Sequence, residues 1–383
     1  MNGAAVRAVD RVAFAGAAIA LIGVAVFPLV EYRANRLVTG EPLRAWSSAG
    51  WVGWLLVALL LAGMVAAAGP RRHREPWVLG AGVAGFSTWA FAVGGSAARL
   101  MPAGDSAARV SIAGGAWLAL VGIAIVWFQG QRNIGSSRAR VLAAAVAAVA
   151  VLGAWYFGGL PKLSLVYEYH AQDTFWTLVL NHIGLSIGGT AIAAVLGVPL
   201  GIAAARTAGV RASVIPAAGI VQTVPSLALY GLLVIPLGML GLPTLGAVPA
   251  LIALTLYALL PIVRNTYLGI SGVDPAIVDA GHGMGMGRAE LLWRVEMPLA
   301  LPLVLEGLRV SLVMTIGIAA VMAIAGAQDL GTLVFLGWGS TAVDQVLLGA
   351  IPMVVLSLIA DQSIRALERS IVSPGIRPFH GQD

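Results

Sequence analysis

Few residues of this chain could do chemistry, and what is missing closes most classes of reaction. There is no cysteine, which excludes disulfides, iron–sulfur clusters and thiolate metal sites. The one lysine, Lys162, stands between Pro161 and Leu163, so no Gly-Lys-Ser/Thr phosphate loop can form. Glycines alternate from Gly281 to Gly287, but a dinucleotide fingerprint fails at Met286 and follows no strand. His170, His182 and His282 lack paired metal-ligand spacing, and no Ser–His–Asp or two-carboxylate arrangement stands out. What remains are charges inside apolar sequence, which in a membrane mark candidate sites. Glu306 and Arg309 lie three apart, and Asp361 and Arg365 four apart, so each pair can close on its own helix face and reads as structural. Asp329 has no such neighbour and could face a cationic solute. Quaternary ammonium groups are best held by aromatic faces. Tyr230, Tyr257 and Trp338 could supply them, although packing and interfacial anchoring compete with that role.

The elements that must position these residues are membrane spans. Of the 383 residues 59% are hydrophobic and only 10% charged, with a mean hydropathy of +0.91. Soluble domains carry roughly 25% charged residues, so the solvent here is partly lipid. The net charge of +6 comes almost wholly from arginines set between apolar runs, a pattern of topology and lipid headgroups rather than nucleic acid.

Crossing the hydrocarbon core takes about 20 apolar residues. Charge-free runs of that scale are Val12–Val30, Trp51–Gly69, Trp77–Ala98, Val110–Phe128, Val141–Leu160 and Ile183–Ala205, and two further apolar runs, Leu303–Gly326 and Val343–Ala366, carry only a few charges. Ala212–Val263 is too long for one helix, and Gly238 to Gly246, with Pro243, divides it in two. The first run is long for a signal-peptide core and lacks a small-x-small cleavage site, so it reads as a retained span. Ten spans with both termini cytoplasmic put sixteen of the 23 basic residues inside and six outside, with Arg309 within a span. Gly184/Gly188 and Gly197/Gly201 are small residues four apart, suited to close helix packing. Pro199, Pro225, Pro236, Pro249, Pro261 and Pro352 fall at membrane depth, where each frees a carbonyl that neighbours or water must satisfy.

The longest inward loop, 265–298, holds two short helical patterns. Asp274 can cap a helix that Pro275 opens, with Ile277, Ala280 and Met284 on one face. Glycines follow, then a second pattern over Arg288–Val295, and Pro298 opens the next span. Such a knob suits a groove on another protein. Asp279-Ala280-Gly281, Gly285, Val295, Met297 and Pro298 match at every spacing the EAA loop of ABC importer permeases, and the loop resembles that family's ATPase-coupling helix. The departures are Asp for Glu, Gly281 for the second Ala, Val for Ile and Met for Leu. Gln222-Thr223-Val224-Pro225-Ser226-Leu227-Ala228-Leu229 and Leu259 to Tyr267 resemble core helices of the osmoprotectant permeases. Gly326 to Gly331 resembles their glycine turn, but Gln328 and Asp329 replace two glycines and put its geometry in doubt.

The resemblance spans about residues 175–372. It implies an all-α integral membrane protein with a type I ABC importer permease core of five helices (residues 161–383), preceded by five extra helices (1–160) like the extension of Yeh-type systems. It implies import of a glycine betaine-like osmoprotectant across the bacterial inner membrane. ATP-Mg would be used by separate ATPase subunits, with no cofactor bound by this chain. The implied partners are those ATPases, a second permease copy or a paralogue, and an extracytoplasmic binding protein. Gln222, Thr223, Pro225, Ser226, Tyr230, Tyr257 and Asp329 are the substrate-path candidates. The residues alone leave open an ABC permease for another small solute such as an amino acid, an ion-coupled secondary transporter, and a membrane-embedded enzyme.

Overall fold

The computed structural model describes residues 9–35, 38–69, 71–101 and 107–372. Arg7, Arg36 and Arg377 of the charge pattern lie outside the described residues. The chain divides into two compact units, Met1–Gln172 and Asp173–Asp383.

The first unit contains α1 (Arg11–Val26), β1 (Val30–Arg33), β2 (Glu41–Leu43), α2 (Ala45–Ser48), α3 (Trp51–Ala68), α4 (Arg71–Leu100), β3 (Arg109–Ile112), α5 (Gly114–Asn133), α6 (Ser137–Tyr156) and α7 (Ser164–His170). Asp10 caps α1 by accepting a hydrogen bond from the Ala13 N–H at 3.1 Å. The helix stops at Val26 and not at Val30, because Pro28 forces Phe27 into extended backbone at φ −99 and ψ 158. The chain then runs into β1, which pairs antiparallel with β2 on one side and β3 on the other. Val110, expected within a span, lies in β3 instead. This small sheet is an addition to an otherwise helical fold.

Contacts at glycines give the helix directions. A Cβ on Gly16 would lie 2.9 Å from the Gly122 carbonyl, and one on Gly23 2.7 Å from that of Gly115, so α1 and α5 run antiparallel. Gly82 against Trp127 and Gly130 against Leu79 make α4 and α5 antiparallel, and Gly153 against Phe91, with Gly94 against Gly158 just past the end of α6, sets α6 parallel to α4.

The second unit contains α8 (Phe175–Arg206), α9 (Ala208–Thr223), α10 (Ser226–Met239), α11 (Ala247–Ser271), α12 (Pro275–Gly283), α13 (Arg288–Leu291), α14 (Met297–Met322), α15 (Leu330–Gly339) and α16 (Val343–Ile371). A π-helical turn, Leu292–Glu296, joins α13 to α14. The expected second loop helix is therefore the first part of one helical stretch, Arg288–Ala325.

Among the described residues eight helices are long and apolar enough to cross a membrane, and α9 with α10, bent by 109°, forms a ninth crossing if taken as one span. Helix direction decides that point. Gly188 meets Leu251, Gly197 meets Ile262 and Gly201 meets Thr266, so α8 and α11 run parallel. The chain between them must return through the full thickness of the bundle, which makes α9–α10 a broken span. The apolar α1 has 16 residues, about 24 Å of helix against a core of ~30 Å. It lies antiparallel along α5, as the first of the ten expected spans would.

Hydroxyls and one imidazole fasten α8, α11 and α14 together. Thr190 and Thr315 bond through their Oγ1 atoms at 2.9 Å. The Ser311 hydroxyl donates to the Ala258 carbonyl at 2.8 Å, and His182 Nε2 lies 3.0 Å from the Ile316 carbonyl. Such bonds hold helices together where apolar packing has no advantage over lipid.

Candidate functional site

The loop between α11 and α14 is built by local rules. Asp274 Oδ1 accepts from the Ala276 N–H at 2.8 Å, and Pro275 opens α12. The helix ends as the Met284 N–H bonds the Ala280 carbonyl at 3.0 Å and the Met286 N–H bonds that of Gly281 at 3.1 Å. Gly285 turns the chain with φ +82, where a side chain would be strained. Gly281 is buried beneath Leu291, whose Cδ1 would stand 2.5 Å from an added Cβ. Asp279 and Ala280 are exposed. Ile277 and Met284 are 43% and 70% exposed, so α12 presents an apolar strip outward. Val295 and Met297 are half-buried at the start of α14, and Pro298 is exposed. Pro298 has no N–H to give the Arg294 carbonyl, and the π turn accommodates the irregularity, with the Met297 N–H reaching back to Leu292.

A second cluster lies at the break between α9 and α10. Pro225 disfavours helix at the preceding residue, and Val224 is extended. Tyr257, near the middle of α11, donates its hydroxyl to the Val224 carbonyl. Pro261 has no N–H for the Tyr257 carbonyl four residues back; the Gln222 side-chain amide donates to that carbonyl at 2.8 Å instead. Two prolines on different helices are thus reconciled by one tyrosine and one glutamine. Thr223 and Pro225 are exposed at the break and Ser226 is half-buried.

Tyr230 and Asp329 do not join this cluster. The Tyr230 hydroxyl donates to the Ala325 carbonyl at 2.7 Å and accepts from the Gly246 N–H at 3.0 Å, where α10, the start of α11 and the end of α14 meet. Asp329 is buried and caps α15: its Oδ1 accepts from the Gly331 N–H at 2.7 Å, and its own N–H donates to Thr332 at 3.3 Å. Its other oxygen lies 3.8 Å from His182 Nδ1, both side chains being fully enclosed. The aspartate standing where the resemblance leads one to expect glycine thus supplies a helix cap. Trp338 is 72% exposed.

The two expected local ion pairs merge into one network. Arg309 bonds Glu306 at 2.8 Å and also reaches Asp361, which Arg365 bonds at 2.9 Å, tying α14 to α16. Sequence reasoning missed Arg206 and Glu296, which pair across 90 positions. The available signal was an acid standing alone between Val295 and Met297.

Two family models match. Residues 10–166 match the N-terminal domain of the ABC transporter permease YehY. Residues 197–373 match the inner membrane component of binding-protein-dependent transport systems. The chain is 37% identical over 206 residues to the glycine betaine/carnitine/choline transport system permease protein OpuCD of Bacillus subtilis (strain 168), covering 53% of this chain and 87% of the relative. It belongs to this permease family. The permease is also 35% identical over 201 residues to the osmoprotectant import permease protein OsmW of Salmonella typhimurium, covering 52% of this chain and 93% of the relative. The likeness to the inward-facing MetNI methionine ABC transporter, with a TM-score of 0.47 and 18% identity over 52% of this chain and 96% of that one, is too low to bear on the fold. As a member of the family, the chain is the membrane-spanning transport subunit of an ABC importer and not an enzyme; ATP hydrolysis belongs to a separate subunit. The loop 265–298 and the break at Val224 fall within the second match, and the small sheet within the first.

Proposed function

We propose that the permease carries a glycine betaine-like quaternary amine into the cytoplasm, and that the loop centred on α12 takes its stroke from the ATPase. The exposed apolar strip of α12, held rigid by the Gly281–Leu291 contact and the Gly285 turn, supports the docking role. The named cargoes of OpuCD and OsmW support the substrate class. A docking surface must face the ATPase, so the loop, both termini and the C-terminal end of α8 lie on the cytoplasmic side. ATPase closure would drive the two α12 knobs of a permease pair, identical or paralogous, towards each other and switch access through the bundle. An extracytoplasmic binding protein would deliver the solute. ATP-Mg stays on the ATPase, and no cofactor is needed here.

The break between α9 and α10 is the part of the path best suited to a zwitterion. It lies near mid-depth and brings Gln222, Thr223, Pro225, Ser226 and Tyr257 together. The open first turn of α10 offers N–H groups to a carboxylate, and aromatic faces suit the ammonium.

Gly285→Asp and Ala280→Glu should each abolish co-purification of the ATPase while the detergent-solubilised permease keeps its elution profile. Unchanged assembly in both would overturn the docking role. Proteoliposomes holding the complete importer should take up radiolabelled glycine betaine or choline in an ATP-dependent way. Uptake of methionine with no uptake of betaine, carnitine or choline would overturn the substrate class.

A further inference from the structure

At the loop end of the second unit, one buried acid and one arginine join segments far apart in sequence. The Glu296 side chain is 3% exposed and pairs with Arg206, the last residue of α8, which is 44% exposed. Glu296 also closes the π turn that separates the α12–α13 knob from α14. Turns of this kind interrupt the regular hydrogen-bond ladder and recur at functional positions. The turn is therefore a place where the helical stretch Arg288–Ala325 lacks the regular ladder that would stiffen it.

Stability alone is a poor explanation for the pair. Desolvation offsets most of the attraction in a buried ion pair, and an apolar replacement of the same volume is often as stable. What an ion pair does supply is register, because a carboxylate this deeply buried is strongly disfavoured away from its cation. Here it fixes the turn to the end of α8. The α8 helix is in turn packed on α11 at Gly197 and Gly201 with almost no clearance. A load on the knob thus has a route to α8 and α11 besides its direct route into α14.

We propose that Arg206–Glu296 is the positioning pair that makes the knob and α8 move together, so that the π turn transmits displacement instead of absorbing it. This inference rests on the coupling role given above to the loop. Glu296→Gln and Arg206→Gln in the reconstituted importer should leave ATPase association and ATP hydrolysis in place. Osmolyte taken up per ATP should fall by at least about fivefold. Arg206→Lys, which keeps the charge, should stay coupled.

The absence of cysteine allows a second measurement that does not depend on the ATPase. Spin labels at His282→Cys on α12 and Gly209→Cys in the first turn of α9, three residues beyond Arg206, both exposed, should give a narrow distance distribution. It should broaden in either glutamine variant and stay narrow with Arg206→Lys. Unchanged uptake per ATP with unchanged distances would overturn the proposal. So would loss of ATPase binding in the glutamine variants, which would make the pair part of the docking surface, or an Arg206→Lys variant as uncoupled as Arg206→Gln. An unmodified importer with no ATP-driven uptake would sink the functional reading, while the distance measurement would still decide whether the tie exists.

Discussion

At the scale of single residues, the site is a set of local repairs. The Gln222 amide serves the Tyr257 carbonyl that Pro261 leaves bare. Gln222→Leu should therefore cost about 1–3 kcal/mol, the usual penalty for a buried polar group without a partner. Adding Pro261→Ala should recover most of that loss, because the restored N–H can reach the same carbonyl; thermal unfolding in detergent reads both. If the second substitution deepens the loss, the account of the break is wrong. Asp10 gives a pH-dependent case. Burial pushes its carboxyl up, but hydrogen bonds from the Ala13 N–H, the Gln129 side chain and the Val12 N–H, with the charge of Arg74, outweigh it and hold the group below its ordinary value. A carboxyl lower in the folded than in the unfolded state stabilises fully above its ordinary value and loses that contribution as pH falls through the folded one. Asp10→Asn should thus lower the unfolding midpoint at neutral pH, and the difference from the unmodified protein should shrink as pH falls below the ordinary carboxylate range. The glycines of the loop were legible because their spacing survives in one sequence. Glu296 was not, because its partner lies 90 positions away.

At the scale of elements, which glycine matters depends on the partner helix. The spacing of Gly184, Gly188, Gly197 and Gly201 signals close packing, but only the last three meet α11. Gly184 has open space where a Cβ would go. Gly184→Ala should be neutral or slightly stabilising. Gly201→Val should cost about 1–3 kcal/mol, as an overpacked contact does, since its Cβ would lie 2.8 Å from the Val263 carbonyl. Equal effects in the two variants would contradict the close packing of α11 on α8 at Gly201. Prolines behave in the same way. Six stood out at membrane depth, yet only Pro225 sits at a sharp break, while Pro199, Pro236, Pro261 and Pro352 continue inside their helices. A proline's type is visible in sequence, but the neighbour that catches the freed carbonyl is not.

At the scale of the whole chain, arginine placement anticipated ten crossings, and helix directions within each unit agree with alternation. The small sheet escaped notice because its strands are only three or four residues long and lie in loops. The division after Gln172 suggests an experiment on the larger unit. A chain of residues 173–383 should still bind the ATPase, because every coupling-loop residue lies within it; loss of binding in a folded truncation would give the first unit a part in assembly. One phenol oxygen also limits how the transporter can open. The Tyr230 hydroxyl rivets α10, the head of α11 and the tail of α14 at a single point. Three helix ends joined through one oxygen are expected to swing as a slab instead of parting one by one like petals, which would leave the way out for solvent along the seam with whatever faces them.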